Sequence, residues 1–266
     1  MKDQQGLYSS LKSWLSKQMN VEQPQINLTQ FEEQSVHLEP IFDCQNQIFI
    51  GAICNDLIET NSKTYLIHFK KSLEEIAYWH CHGRAILTLL PLPISFAKDQ
   101  DFIAQYEAYL MQSQLPVGLI RIPIIGYKND EVDFYYDFLT QLQRLGLILE
   151  LKNFSSSQTE LAWLDTQIFK GVHLSTHLVR AAMTTSFSKE LFNDLLITCK
   201  DKNYHTYGEG ISLVHDFNFA KNNQVKFCYG PLMMPCVSKH QLLKIQTSQF
   251  HDSFNFSPKK NTKNGS

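Results

Sequence analysis

Tyr207-Gly208-Glu209-Gly210-Ile211 and, further along, Tyr229-Gly230-Pro231-Leu232-Met233-Met234-Pro235 each follow or complete a short apolar run and break it at glycine. The runs are 204–207 and 225–229, and residues 214–222 between them have helical spacing. Strand, turn, helix and strand at this pitch form the unit of a parallel sheet with helical crossovers. Glu209 and Tyr229 stand at the two strand ends, where such a sheet carries its chemistry.

Outward from this unit the alternation continues. Apolar, β-rich runs fall at 36–42, 48–53, 64–69, 85–90, 117–125, 146–151 and 169–174. Helical patterns at 72–79, 101–111, 134–145 and 189–200 occupy most of the later gaps. The units suffice to close an α/β barrel of about eight strands. The short turn at 43–47 predicts that the first two strands are an antiparallel hairpin. Ahead of them, Leu7, Leu11, Trp14 and Leu15 make one amphipathic stripe, and 20–35 reads as a Gln- and Asn-rich linker. The expected organisation is helix and linker over 1–35, barrel over 36–250 and a mobile tail over 251–266.

With 266 residues, 43% of them hydrophobic, the chain can bury one large core. A net charge of -2 gives no long-range attraction to nucleic acid or acidic membrane, so no direct nucleic-acid partner is expected. Six cysteines without a CxxC pair fit a reducing compartment. No signal peptide is legible, and no apolar run approaches the roughly 20 residues of a membrane span. The expectation is a cytoplasmic protein.

The strand ends in order are Ile53, Leu89 to Pro91, Arg121 to Pro123, Lys152-Asn153, His173 to Ser175, Glu209 and Tyr229-Gly230. A metal-assisted hydrolase needs several Asp, Glu or Asn oxygens there. This set offers one carboxylate and two fixed cations, which repel a metal. His80-Cys81-His82 are neighbours on a helical pattern and point apart, so they make no metal site. Phe134-Tyr135-Tyr136 reads as a helix face packed on the barrel, with part of it an exposed contact patch.

From 36 to 243 these segments resemble, in order and spacing, those of the EAL family, bacterial barrels that hydrolyse cyclic di-GMP. Leu38-Glu39-Pro40-Ile41-Phe42-Asp43 is similar to the family's opening strand, with Glu39 in place of its usual Gln. Gly51-Ala52-Ile53 stands where the Glu-Ala-Leu signature is expected, so its metal-binding Glu falls on Ile53. The metal-binding Asn falls on Leu89, and a further acidic ligand on Arg121. Lys152-Asn153-Phe154-Ser155 takes the place of Asp-Asp-Phe-Gly, and His173-Leu174-Ser175 that of Lys-Ile-Asp. Gly208-Glu209-Gly210-Ile211-Ser212 keeps one Glu of the Glu-Gly-Val-Glu segment and loses the other at Ser212; Tyr229 replaces a Gln.

The resemblance implies an α/β fold, a modified TIM barrel of EAL type with an N-terminal amphipathic helix. It implies a catalytically inactive regulator that acts through a protein partner, in motility, biofilm or RNA-turnover control. No catalytic or metal-binding residue is expected and no cofactor; Mg or Mn enters only under the competing reading of an active cyclic di-GMP phosphodiesterase. The second reading is a non-hydrolytic cyclic di-GMP sensor, with Glu39, Arg121, Lys152, His173, Glu209 and Tyr229 as ligand-binding candidates. Glu209 is expected in an ion pair with Arg121 or Lys152. A dimer is an open expectation, because the loop 154–158 departs from the glycine-containing sequence linked to dimer contacts in the family.

Overall fold

The computed structural model describes residues 36–57, 61–126, 132–155, 158–238, 241, 242 and 245. The expected N-terminal helix, its linker and the tail lie outside the described residues.

The strands are β1 (Leu38–Asp43), β2 (Phe49–Cys54), β3 (Leu87–Leu89), β4 (Leu92–Pro93), β5 (Ile120–Ile125), β6 (Ile148–Phe154), β7 (Phe169–Leu174), β8 (His205–Gly208) and β9 (Phe227–Cys228). They form one sheet in the order β3-β2-β1-β9-β8-β7-β6-β5-β4, and the pairing of β3 with β5 closes it into an eight-stranded barrel. The two-residue β4 continues β3 along the same edge of β5 and in the same register.

β1 runs antiparallel to β2, as the hairpin turn predicts, and also to β9, while the other pairings are parallel. This reversal decides where Glu39 lies. The start of β1 sits at the rim where the other strands end, and Glu39 pairs in register with Ile53.

Around the barrel stand α1 (Ser62–Cys81), α2 (Gln100–Ser113), α3 (Val132–Arg144), α4 (Gln158–Asp165), α5 (Thr176–Thr184), α6 (Ser186–Asp201) and α7 (Val214–Asn222). Residues 64–69, expected as a strand, belong to α1. Its Tyr65, Phe69, Leu73 and Ile76 are buried at helical spacing, and Asn61 caps the helix by accepting from the Thr64 N–H at 2.9 Å. Phe69 stacks on Tyr106 of α2 with centroids 4.1 Å apart, so packing overrides the β-rich composition. The expected strand over 117–125 begins only at Ile120, after a 3-10 turn at Val117–Leu119. The helices α4 and α5 had no counterpart in the sequence pattern.

Along each strand the side chains alternate between two cores. Phe42, Ala52, Leu90 and Leu151 belong to the large core between barrel and helices. Ile41, Ile53, Leu89, Tyr207, Phe227 and Tyr229 form a second, smaller cluster inside the barrel. Tyr135, Phe138 and Leu139 of α3 are buried and Tyr136 is exposed, so one face packs and one is free. Among the described residues no helix is long and apolar enough to cross a membrane.

Candidate functional site

Inward positions on β5 to β9 carry the polar half of the barrel interior. Lys152 and Glu150 share one face of β6 because side chains repeat every two residues. Arg121 reaches them from β5, His173 from β7, Tyr207 and the following Glu209 from β8, and Tyr229 from the end of β9.

These groups form one connected network. Arg121 Nη1 donates to Glu150 Oε1 at 2.7 Å and meets Tyr207 Oη at 3.3 Å. The Tyr207 hydroxyl donates to the same Glu150 oxygen at 2.8 Å. His173 Nε2 lies 3.0 Å from Glu150 Oε2, and its Nδ1 lies 2.9 Å from Tyr229 Oη. Lys152 Nζ donates to Tyr229 Oη at 3.2 Å and pairs with Glu209. The Asn153 amide, turned so that its nitrogen faces the carboxylate, adds donors at 2.8 and 3.1 Å from the Glu209 oxygens. One direction of donation satisfies the central chain, from Lys152 through Tyr229 and His173 to Glu150. His173 and Tyr207 also stack at 4.2 Å, with ring planes 3° apart.

Burial makes the pairing obligatory. Side-chain exposure is 0% for Glu150 and His173, 3% for Lys152, 13% for Arg121 and 17% for Glu209. Burial alone disfavours the Glu150 anion, but His173 and Arg121 outweigh it and hold the pKa below the usual 4.5. Burial likewise opposes the Arg121 cation, and Tyr207 with Glu150 raises its pKa nonetheless. At the rim Glu39 accepts from Asn55 Nδ2 at 2.8 Å. Its pKa is raised, mainly by burial, against the lowering effects of Asn55 and Lys152.

The expected ion pair of Glu209 thus forms with Lys152, and Arg121 pairs elsewhere. Of the six candidates, Lys152, His173, Glu209 and Tyr229 join through direct contacts and Arg121 through Glu150, while Glu39 feels the charges of Lys152 and Glu209. Glu150 was missed. Its signal was present: a carboxylate two residues before Lys152 on a strand must point the same way. The structure makes room for it at Gly171, where an added Cβ would stand 2.8 Å from Glu150 Oε1.

The EAL domain of Mycobacterium smegmatis DcpA matches this structure with a TM-score of 0.66 at 12% identity, covering 82% of this chain and 96% of that one. An EAL domain protein from Listeria monocytogenes EGD-e gives 0.67 at 12% identity over 84% and 98%. The EAL domain of Xanthomonas citri FimX, solved in complex with c-diGMP, gives 0.66 at 10% identity over 88% and 97%. The fold is that of an EAL domain. No protein-family model and no curated protein matches the sequence.

On an EAL-type barrel the resemblance places a divalent metal, Mg or Mn, at the strand ends, and the residues present do not fit one. Ile53 and Leu89 are fully buried in the apolar interior cluster. Lys152 puts a positive charge where an oxygen donor is needed, and Glu209 is already bound to it. Among the described residues no group of three His, Cys, Asp or Glu could hold a metal ion.

Proposed function

We propose that this protein is a catalytically inactive EAL-like regulator that works by binding a protein partner, in control of motility, biofilm formation or RNA turnover. One observation carries the reading. The barrel interior is paired with itself through Arg121–Glu150 and its mouth through Lys152–Glu209, while Ile53 and Leu89 fill the opposite side. The charges of Arg121, Glu150, Lys152 and Glu209 cancel, and the remaining rim carboxylate of Glu39 accepts from Asn55. Among the described residues no group of three metal-ligating side chains stands ready to activate a water nucleophile. A barrel with such a mouth keeps its value in its outer surface, where Ile67, Tyr78, Met111 and Phe187 are exposed.

The second reading is metal-free binding of cyclic di-GMP. It draws on the fold shared with an EAL domain solved in complex with c-diGMP. In its way stands the commitment of Arg121 and Lys152 to internal carboxylates, which a phosphate would have to displace. Calorimetric titration with cyclic di-GMP, with and without magnesium, separates the two. The partner-binding reading expects no heat in either condition. Saturable heat without metal would replace it with the sensor.

A further inference from the structure

Helices α1 and α2 both run down the outside of the barrel from the mouth to the opposite face, and a groove of about 500 Å³ lies between them. Leu73 and Ala77 of α1 form its apolar floor, at 2% and 4% exposure. The half-buried ring of Tyr109 on α2 walls one side, packed against the main core. Lys70 lines the upper part, with Nζ 5.6 Å from the centre of that ring. At the lower end Ser113 donates its hydroxyl to the Leu110 carbonyl at 2.7 Å, which leaves the floor beside Ala77 to apolar contact.

The last described residue, Ile245, ends on the same face of the barrel as the lower end of this groove. Its side chain is 5% exposed, and its carbonyl accepts from Arg84 Nη1 at 3.3 Å. Arg84 in turn donates its N–H to the Trp79 carbonyl at 2.9 Å, so the chain leaves the barrel at the C-terminal end of α1. The tail, expected from the sequence to be mobile over 251–266, begins with three aromatic residues close together, Phe250, Phe254 and Phe256. An extended chain carries Phe250 up to about 17 Å from Ile245 and Phe254 up to about 30 Å. Ala77 and Leu73 lie about 6 Å and about 12 Å back from the end of α1, a helix about 10 Å across. Both are within the tail's reach.

We propose that residues 250–256 dock into the α1–α2 groove of their own chain, with phenylalanine rings laid on Leu73 and Ala77 and against Tyr109. Burial of ring surface drives the contact, and the Tyr109 ring offers an offset or edge-on partner. A tether this short holds the rings at an effective concentration on the order of millimolar, so a groove too weak for a free peptide is filled by the tail. The inference goes beyond the function proposed above and does not rest on it. Tyr78, 46% exposed, stands four residues from the groove-lining Glu74 on the same face of α1, beside the way the tail must take. A partner that binds this side of the barrel must displace the segment first.

The probe is the full chain with a benzophenone-bearing amino acid in place of Phe254, crosslinked by light and mapped by mass spectrometry of the digest. The expected crosslinks fall within 70–77 and 109–113, with a yield that dilution of the protein does not change. Phe250→Ser together with Phe256→Ser in the same chain should cut that yield by about tenfold, since both remove apolar surface from the contact. Thermal midpoints are read alongside; if the double variant lowers the midpoint, Phe250→Ser alone serves for the comparison. Crosslinks that miss both segments or scatter over the surface would overturn the proposal. So would a yield that falls on dilution, because a second copy then supplies the ring, or one that loss of the neighbouring phenylalanines leaves unchanged.

Discussion

Lys152 Nζ touches Glu209, meets Tyr229 Oη at 3.2 Å and lies 5.4 Å from the centre of the Tyr229 ring. Replacing it by an apolar side chain of similar length leaves the Glu209 carboxylate without its ammonium in a mostly dry wall. Breaking a buried pair from one side costs about 3–5 kcal/mol. Lys152→Met should therefore lose about 3 kcal/mol of unfolding free energy in a denaturant titration; a loss below about 1 kcal/mol, the range of an exposed pair, would deny the pair its structural role. His205 gives a pH-dependent counterpart. Its folded pKa is about 4 against an ordinary 6.5, so between these values the unfolded chain binds more protons. Stability should fall as pH drops from 6.5 towards 4, and His205→Gln should flatten that part of the profile. Glu150 acts below this window: its lowered pKa gives stability that is present above 4.5 and lost as pH falls through the folded value. A denaturation series across pH reads both groups.

At the scale of elements, α1 shows where local composition misleads. Thr64-Tyr65-Leu66-Ile67-His68-Phe69 is rich in β-formers, yet Tyr65 and Phe69 fall four apart and join Phe102 and Tyr106 in one aromatic cluster between two helices. The Asn61 cap was a legible signal that favoured the helix. Phe69→Ala should cost about 3–5 kcal/mol, and equilibrium unfolding measures it directly. A change under about 1 kcal/mol would mean that the aromatic cluster does not anchor α1. The hairpin of β1 and β2, most later strands and the order of strand ends were readable because periodicity and turn residues are local. The partner of each charge was not, because Arg121, Glu150 and His173 lie on β5, β6 and β7 and Glu209 just past the end of β8, and only the closed barrel fixes their register. Glu150 lay within reach of the two-residue repeat; the split of partners, Arg121 to Glu150 and Lys152 to Glu209, did not.

For the molecule as a whole, one barrel presents two faces of different character. The interior has an apolar side at Ile41, Ile53 and Leu89 facing a hydrogen-bonded side whose two ion pairs, Arg121–Glu150 and Lys152–Glu209, cancel each other's charge. The opposite face carries a cleft lined by Asp43, Leu196, Ile197 and Lys200. Closure of the sheet through β3 and β5 holds the two faces in one fold, and α1 to α7 form the outer layer. The proposed function stands on internal ion pairs occupying the polar side of the barrel where a metal would need oxygen donors. Its most direct test is to incubate the purified protein with cyclic di-GMP and excess Mg²⁺ or Mn²⁺ and measure the linear dinucleotide formed. The account predicts no product above the protein-free control. Metal-dependent product that Glu209→Gln abolishes would contradict it.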